Sequence, residues 1–384
     1  MTKVLMLSND PKILDKKSDA YARMIEYGTL FEELHVVVFT KKNFQPNNNF
    51  QISKNVWIYP TNGKAKLFSF WEAYIICKHI LNLKSKIINL KWTVTAQDAF
   101  TAIPILLLKM HRNVLFQIQI HTDFSNSYFW KESARNFIYY LIYRVALRHA
   151  DCIRVVSKRI LNSIKSNVKC QMSNVSILPI FVDIKKIIET PITTDLHKKY
   201  PQFDFIILMA SRLTKEKNIS LAVETFKEVA TKYPKAGLCI VGKGPEKKNY
   251  ELRIKNYRLE KKVVFEDWAD KETLVSYYKT ADIFLLTSDY EGYGLTLVEA
   301  AASGCPVVTT NVGLVGEVLS QERDVLVCEP RDKKCFVRNI ANSIESLPLR
   351  AKLAGHAREA VQAIEISKEE YLKKYKESLE VCQK

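Results

Sequence analysis

The stretch 288–304, SDYEGYGLTLVEAAASG, sets a glycine-bearing turn directly ahead of a helix that is apolar almost all round. An aliphatic run, Ile283 to Leu286, precedes it. Strand, polar turn, glycine and helix in that order are how open α/β sheets present ligands. Two carboxylates bracket the turn, Glu291 just before it and Glu299 well inside the helix. A helix start with unpaired backbone N–H groups suits an anion, because those donors and the macrodipole both favour negative charge. Leu295, Val298 and Ala302 share the face of Glu299, and Leu297, Ala300 and Ala301 cover the rest, so the helix is expected to be buried. A buried carboxylate needs donors. Glu299 is expected to find them either in the core, from a backbone amide or an arginine, or on a ligand.

Outward from this run, short β-branched or aliphatic segments alternate with helical stretches along the whole chain. Strands are expected near 4–8, 35–39, 56–59, 92–96, 114–120, 152–156 and 175–178 in the first half. In the second half they fall near 205–210, 238–241, 263–265, 283–286, 306–309 and 325–327. The longer helices fall at 18–33, 66–83, 99–110 and 128–149. This alternation implies parallel sheets wrapped by helices, and the strand count suits two sheets better than one. The stretch 183–203, with Pro191 and Pro201 and little periodicity, reads as the linker, and 45–49 as a polar loop.

The 384 residues suffice for two domains, each with its own core, and 47% hydrophobic with 26% charged residues is a globular composition. No apolar run approaches the ~18 residues needed to span a bilayer. The first residues, KVLMLS, are too short for a signal peptide. The 8 cysteines are scattered without a CxxC pair or a neighbouring histidine cluster, which predicts reduced thiols in a cytoplasm and no metal site. The net charge of +17 is uneven: 29 Lys and Arg against 14 Asp and Glu up to Tyr200, and 29 against 27 beyond. Such a basic half points to a polyanionic partner, either nucleic acid or an anionic membrane surface. Nine of the 11 glycines lie from Gly237 onward, so close backbone approach to a ligand is expected in the second half.

Several side chains carry chemistry. The run IILMA leads into SRLTKEKN, placing Arg212 and Lys217 just past a strand's carboxyl end, where two cations would suit a diphosphate. LCIVGKGPE puts Gly242, Lys243 and Gly244 in a strand-to-helix turn. VLFQIQIHTDF ends a strand with His121, followed by Asp123. Ser18 is a candidate N-cap for a helix carrying Arg23.

The stretch from Ala210 to Gly316, through SRLTKEKN, VGKGPE, YKTADIFLLTSDYEGYGLTLVEAAASGCPVVTTNVG and the GEVL that begins at Gly316, resembles the retaining nucleotide-sugar glycosyltransferases of family 4 (glycosyl transferases group 1). HTD, RHADCIRVVSK and ILPIFVD extend a fainter likeness over the first half. The resemblance implies an α/β chain with the GT-B fold, two Rossmann-like domains whose parallel sheets face each other across a cleft. Residues 1–190 would form the basic acceptor-side domain and 200–365 the nucleotide-sugar-binding domain. A final helix over 366–384 would cross back to the first domain. The resemblance further implies that Glu291 contacts donor-sugar hydroxyls and Glu299 accepts both ribose hydroxyls. The backbone of Gly292, Tyr293, Gly294 and Leu295 approaches sugar and phosphate, Arg212 and Lys217 grip the diphosphate, and His121 lies beside the sugar. Base contacts are expected near Lys243, Asp267 and Trp268. The donor would be a nucleotide-diphosphate sugar, UDP favoured over GDP, with no cofactor and no metal. The acceptor would be a hydroxyl of a glycan or lipid-linked molecule, in surface polysaccharide or glycolipid synthesis. One departure from the family is the glycine-free loop from Asn9 to Lys17.

Two alternatives belong to other classes. A nucleic-acid binder would use the basic half, but no recognised module is present, so no nucleic acid is expected. An epimerase or hydrolase on the same scaffold is disfavoured by the paired Glu291 and Glu299. The segment from Gly63 to Lys86 mixes Phe68, Phe70, Trp71 and Tyr74 with Lys64, Lys66, Lys78, Lys84 and Lys86. It is compatible either with a helix on the inner face of the plasma membrane or with ordinary packing. The aromatic run 128–148 raises the same question, and there packing is expected.

Overall fold

The structure, a computed structural model, describes residues 2–40, 49–63, 66–84, 92–111, 113–167 and 174–383. Lys64, Lys86 and most of the polar loop 45–49 lie outside the described residues. The chain divides into two units, Met1–Pro179 with Ser367–Lys384, and Ile180–Ile366.

Among the described residues the first unit holds eight strands: β1 (Lys3–Ser8), β2 (Glu33–Val38), β3 (Phe50–Ser53), β4 (Val56–Pro60), β5 (Thr93–Ala96), β6 (Leu115–Ile120), β7 (Cys152–Val155) and β8 (Val175–Ile177). Their order is β3-β4-β2-β1-β5-β6-β7-β8. All neighbours are parallel except β3, which pairs antiparallel with β4 at the edge. Strand β3 is absent from the sequence reading because FQIS is short, half-buried and without a clear alternation. The central strands read as continuous aliphatic runs because helices cover both faces of a parallel sheet.

The stretch 128–149 is two helices, Ser127–Lys131 and Ala134–His149, and not one. Ser133 leaves the helical region at φ −160° and caps the second by accepting from the Asn136 amide. The helix Lys368–Glu380 completes this unit. Tyr375 is fully buried and stacks on Tyr27 with centroids 4.1 Å apart. Arg154 donates to the Tyr371 hydroxyl at 3.1 Å, and Gln117 donates to the Ser378 carbonyl at 2.6 Å.

The second unit holds β9 (Phe205–Ala210), β10 (Ala236–Val241), β11 (Val263–Glu266), β12 (Ile283–Leu286), β13 (Val307–Thr310) and β14 (Leu326–Cys328), all parallel, in the order β11-β10-β9-β12-β13-β14. Ile207, Met209, Leu238 and Ile240 belong to one buried cluster with Phe226 and Phe336 of the covering helices. Each such side chain contributes about 1.5–3 kcal/mol by leaving water. The 183–203 stretch is not a loose linker. Asp183 caps the helix Ile184–Glu189, Leu196 is fully buried, and the Thr193 amide donates to Ser276 Oγ at 2.9 Å.

The cysteines also correct the sequence reading. Cys152 meets Cys382, and Cys328 meets Cys335, in disulfide pairs, while Cys77, Cys239 and Cys305 are free and buried. Residues 230 apart in sequence gave no spacing signal that could announce the first pair.

Candidate active site

In the second sheet the strand order reverses between β9 and β12, and open α/β sheets bind ligands outside the carboxyl ends at such a point. The loops that follow these strands, 211–218 and 287–294, are laced together. Asn218 sits in the left-handed region at φ 47°, and its Oδ1 accepts from the Leu221 amide to cap the helix Ile219–Lys232. The Nδ2 of the same side chain donates to Asp289 Oδ1 at 3.0 Å. Thr287 Oγ1 donates to the Lys217 carbonyl at 3.0 Å, and the Asp289 amide donates to the Glu216 carbonyl at 2.8 Å. Arg331 holds Asp289 from the far side through two bonds, Nη2 to Oδ2 at 2.8 Å and Nε to Oδ1 at 3.2 Å.

Within this frame Lys217 Nζ lies 2.5 Å from Glu291 Oε1, and Ser288 Oγ donates to the same oxygen at 2.9 Å. The two charged side chains are only 13% and 15% exposed, so their attraction is screened less than on an open surface. Arg212 is placed differently. Its guanidinium is exposed and reaches Glu216 at 3.3 Å, a contact that fixes it only weakly.

The turn after Glu291 runs through buried Gly292, Tyr293 and Gly294 to the exposed Leu295. Gly294, at φ 79°, is the N-cap of the helix Leu295–Ala302 and has no side chain with which to occupy the helix start. A Cβ on Gly313 would press on the Tyr293 carbonyl, which accepts from the Leu314 amide at 3.1 Å. Glu299 retains a little exposed surface, but protein crowds its carboxyl on most sides. Burial pushes it up to about 7, against the opposing pull of Lys271 and of the Tyr278 hydroxyl 3.3 Å from Oε2. A tyrosine therefore supplies a donor that the sequence reading had left to an amide, an arginine or a ligand.

The glycines after β10 have a packing cause. A Cβ on Gly242 would overlap the Ser211 carbonyl, and one on Gly244 the Leu213 backbone. The two loops are bonded where they touch, from the Leu213 amide to the Lys243 carbonyl at 2.9 Å and from the Glu246 amide to the Leu213 carbonyl at 3.0 Å. Lys243 and Lys247 approach Asp267 at 3.5 and 3.6 Å, beside the exposed Trp268.

In the first unit His121 follows β6. Burial pushes its imidazole down to about 3, with further repulsion from Arg154 and Arg23, so the ring is neutral at physiological pH although one edge reaches solvent. Asp123 is buried and accepts from Ser163 Oγ at 2.7 Å. The glycine-free loop after β1 is built on Asp10, which accepts from the Lys12 amide to start the turn Pro11–Leu14. Ser18 then caps the helix Asp19–Gly28, whose Arg23 comes within 3.9 Å of Asp10.

The structure thus joins Lys217 to Glu291 and Lys243 to Asp267, and sets Arg212 on Glu216. Sequence reasoning missed Asp289, Arg331 and Asn218. Asn218 had a signal, an asparagine directly before the apolar helix ISLAVETF, whereas Arg331 had none.

Comparison with known proteins finds a family likeness within the second unit. Residues 194–360 match the family described as Glycosyl transferases group 1. Mannosylfructose-phosphate synthase of Agrobacterium fabrum is 34% identical over 137 residues, 34% of this chain and 30% of that protein. The chain spans less than two thirds of the length of that relative and of the next two it matches. Among solved structures, sucrose-phosphate synthase from Thermosynechococcus elongatus superposes with a TM-score of 0.78 at 19% identity, covering 98% of this chain and 97% of that one. The Anabaena protein Alr3699/HepE, solved with UDP and glucose, gives 0.73 at 16% identity and covers 99% of both chains. Residues 194–360 thus carry a match to the group 1 glycosyltransferases, and the two parallel-sheet units share the GT-B fold of these solved structures.

Proposed function

We propose that the protein is a retaining glycosyltransferase that moves a hexose from a UDP-sugar to a hydroxyl of a glycan or lipid-linked acceptor. The observation that carries this reading is the Lys217–Glu291 pair at the switch point of the second sheet, directly ahead of a helix start that its N-cap glycine does not cap with a side chain. The UDP complexes among its structural relatives support the choice of nucleotide.

In this reading Glu291 accepts hydrogen bonds from the sugar, and the amides after Gly292 approach it. Lys217 and Arg212 neutralise the diphosphate, and Glu299 accepts from the ribose hydroxyls. Lys243, Asp267 and Trp268 flank the base, and His121, neutral, presents a ring nitrogen to the sugar. The acceptor oxygen attacks the anomeric carbon on the face that the phosphate leaves. The C–O bond to phosphate breaks as the new glycosidic bond forms, and the acceptor proton passes to the departing phosphate oxygen. No protein base is then required, and the task of the site is to stabilise charge that builds on the leaving group. Cations supplied by side chains can perform that task without a metal. The basic first unit would work at the anionic inner face of a membrane during surface-glycan or glycolipid synthesis.

The test is a panel of nucleotide sugars with thermal-shift and slow-hydrolysis readouts on the wild type and on Glu291→Ala. UDP-sugars are expected to stabilise and be slowly turned over by the wild type. If no nucleotide sugar does either, the reading is wrong.

A further inference from the structure

The helix Ala134–His149 was expected to pack, yet much of its apolar surface faces solvent. Phe137, Ile138, Leu141 and Val145 are all exposed at helical spacing, so they form one stripe. Beside it the helix Ile103–Lys109 and the residue after it expose Leu107 and Met110, the latter 74% accessible. Between the two helices lies a groove of about 710 Å³ lined by Leu106, Leu107, Met110, Leu141, Ile142 and Val145. The helix Lys66–Lys84 packs against Ile103–Lys109 and adds a second exposed stripe, Phe68, Trp71 and Ile75. Contiguous exposure on this scale marks an interaction surface and not chance surface residues.

The charge around it names the partner. The helix Ala134–His149 carries Arg135, Arg144 and Arg148 and no acidic residue. Arg135 and Arg144 lie over the rings of Tyr139 and Tyr140, at 5.7 and 5.6 Å, and Lys131 lies over Trp130 at 5.1 Å. His149 lines the groove, as does Lys109, which is held by Asp151 at 2.6 Å. An apolar stripe edged by arginine and by aromatic rings is the composition of a helix that lies in a headgroup layer. A protein partner of matching charge would need an acidic rim around an apolar centre, whereas an anionic bilayer offers both at any point.

We propose that this face docks on an anionic lipid surface, with the helix Ala134–His149 flat among the headgroups and the neighbouring groove receiving acyl-chain methylenes. This deepens the membrane-side reading given above and rests on it, and it moves the contact from the lysine-rich helix Lys66–Lys84 to a surface centred on Leu141 and Val145. No span is implied: among the described residues no helix is long and apolar enough to cross a membrane.

The test is co-sedimentation of the full chain with phosphatidylcholine vesicles, with and without phosphatidylglycerol, at low and high salt. The wild type is expected to bind the anionic vesicles at low salt and to be released by salt. Leu141→Glu/Val145→Glu is expected to lose binding at least ~10-fold, because burying a charge in acyl chain is costly. Arg135→Glu/Arg148→Glu should lose it on anionic vesicles while keeping the apolar stripe. Thermal melts and the shift produced by UDP-sugars, read on every variant, separate a lost lipid contact from a damaged fold or donor site. Absence of wild-type binding to anionic vesicles overturns the proposal even where UDP-sugars stabilise the protein. So does equal binding by both variants, or a wild-type dimer that Leu141→Glu/Val145→Glu turns into a monomer, since the face would then be a self-interface.

Discussion

Lys217 Nζ and Glu291 Oε1, 2.5 Å apart, come from two different loops of the second sheet, so each charge is neutralised across the switch point by the other. Removing one member leaves a largely buried charge without its partner, and the cost is expected to be about 1–3 kcal/mol of stability. A double variant, Lys217→Met/Glu291→Gln, should recover part of that, which denaturant melts of the four proteins will read. Activity should behave otherwise. Lys217→Ala is expected to lower turnover about 10²–10³-fold, as loss of one donor to a developing anion does, and the double variant should not regain it.

Arg331 acts on the site through Asp289. Arg331→Met frees a carboxylate that also orders Asn218 and the turn ahead of Glu291. Turnover of the donor should fall roughly 10-fold, in keeping with the sensitivity of catalysis to small misplacements. Arg331→Lys, which keeps charge but not the two-pronged contact, should lie between. Steady-state kinetics on both variants tests this, and a change in stability alone with unaltered turnover contradicts it.

Glu299 predicts a pH dependence. Its native carboxyl holds its proton up to about 7, whereas an unfolded chain releases it near the ordinary carboxylate value. The native state therefore binds more protons through that window, and stability should fall as pH rises towards 7. Nucleotide binding should run the opposite way, strengthening as the carboxylate ionises and can accept from the ribose. Calorimetric melts and titrations of UDP between pH 5 and 8 should both flatten in Glu299→Gln.

His121 titrates with the other sign. Its ring stays neutral down to about 3, while an unfolded histidine protonates near 6.5. Stability contributed by this group is full above the unfolded value and is lost as pH falls below it. The His121 ring resonances should show no protonation between pH 8 and 5, and a titration in that range would contradict the burial described.

The 368–380 helix predicts a large packing effect. Tyr375→Ala removes a fully buried ring stacked on Tyr27, at an expected cost of about 3–5 kcal/mol. Tyr375→Phe, which keeps the ring and loses only the long contact from Gln119, should cost far less. Urea melts distinguish the two.

Much of this was readable before the fold was seen. Among the described residues, thirteen of the fourteen strands are announced by aliphatic runs, because a strand covered on both faces must be apolar throughout. The missing β3 is an edge strand with one partner, where that constraint lapses. Glu291 and Lys217 were readable because they sit at fixed offsets from strand ends. Arg331 was not, since a side chain that reaches back across a sheet from its last strand leaves no periodic trace. The helix Ala134–His149 packs as expected through Tyr143, Ala146 and Leu147, but its exposed stripe of Phe137, Ile138, Leu141 and Val145 was not foreseen. An apolar stripe looks the same in sequence whether a protein core or something outside the protein covers it.

The buried seat of the 368–380 helix has a bearing on how the molecule is made. Gln117 and Ser378 are bonded across 261 residues, and everything between Ile180 and Ile366 is synthesised in the interval. The second unit is a continuous stretch and can close on local contacts as it leaves the ribosome. The first cannot. Its Arg154 and Gln117 wait, polar and poorly covered, until the strand-borne pocket they line receives Tyr371 and Tyr375. A pause in translation before residue 368 would therefore hold the nascent chain with its second unit assembled and its first unit still open.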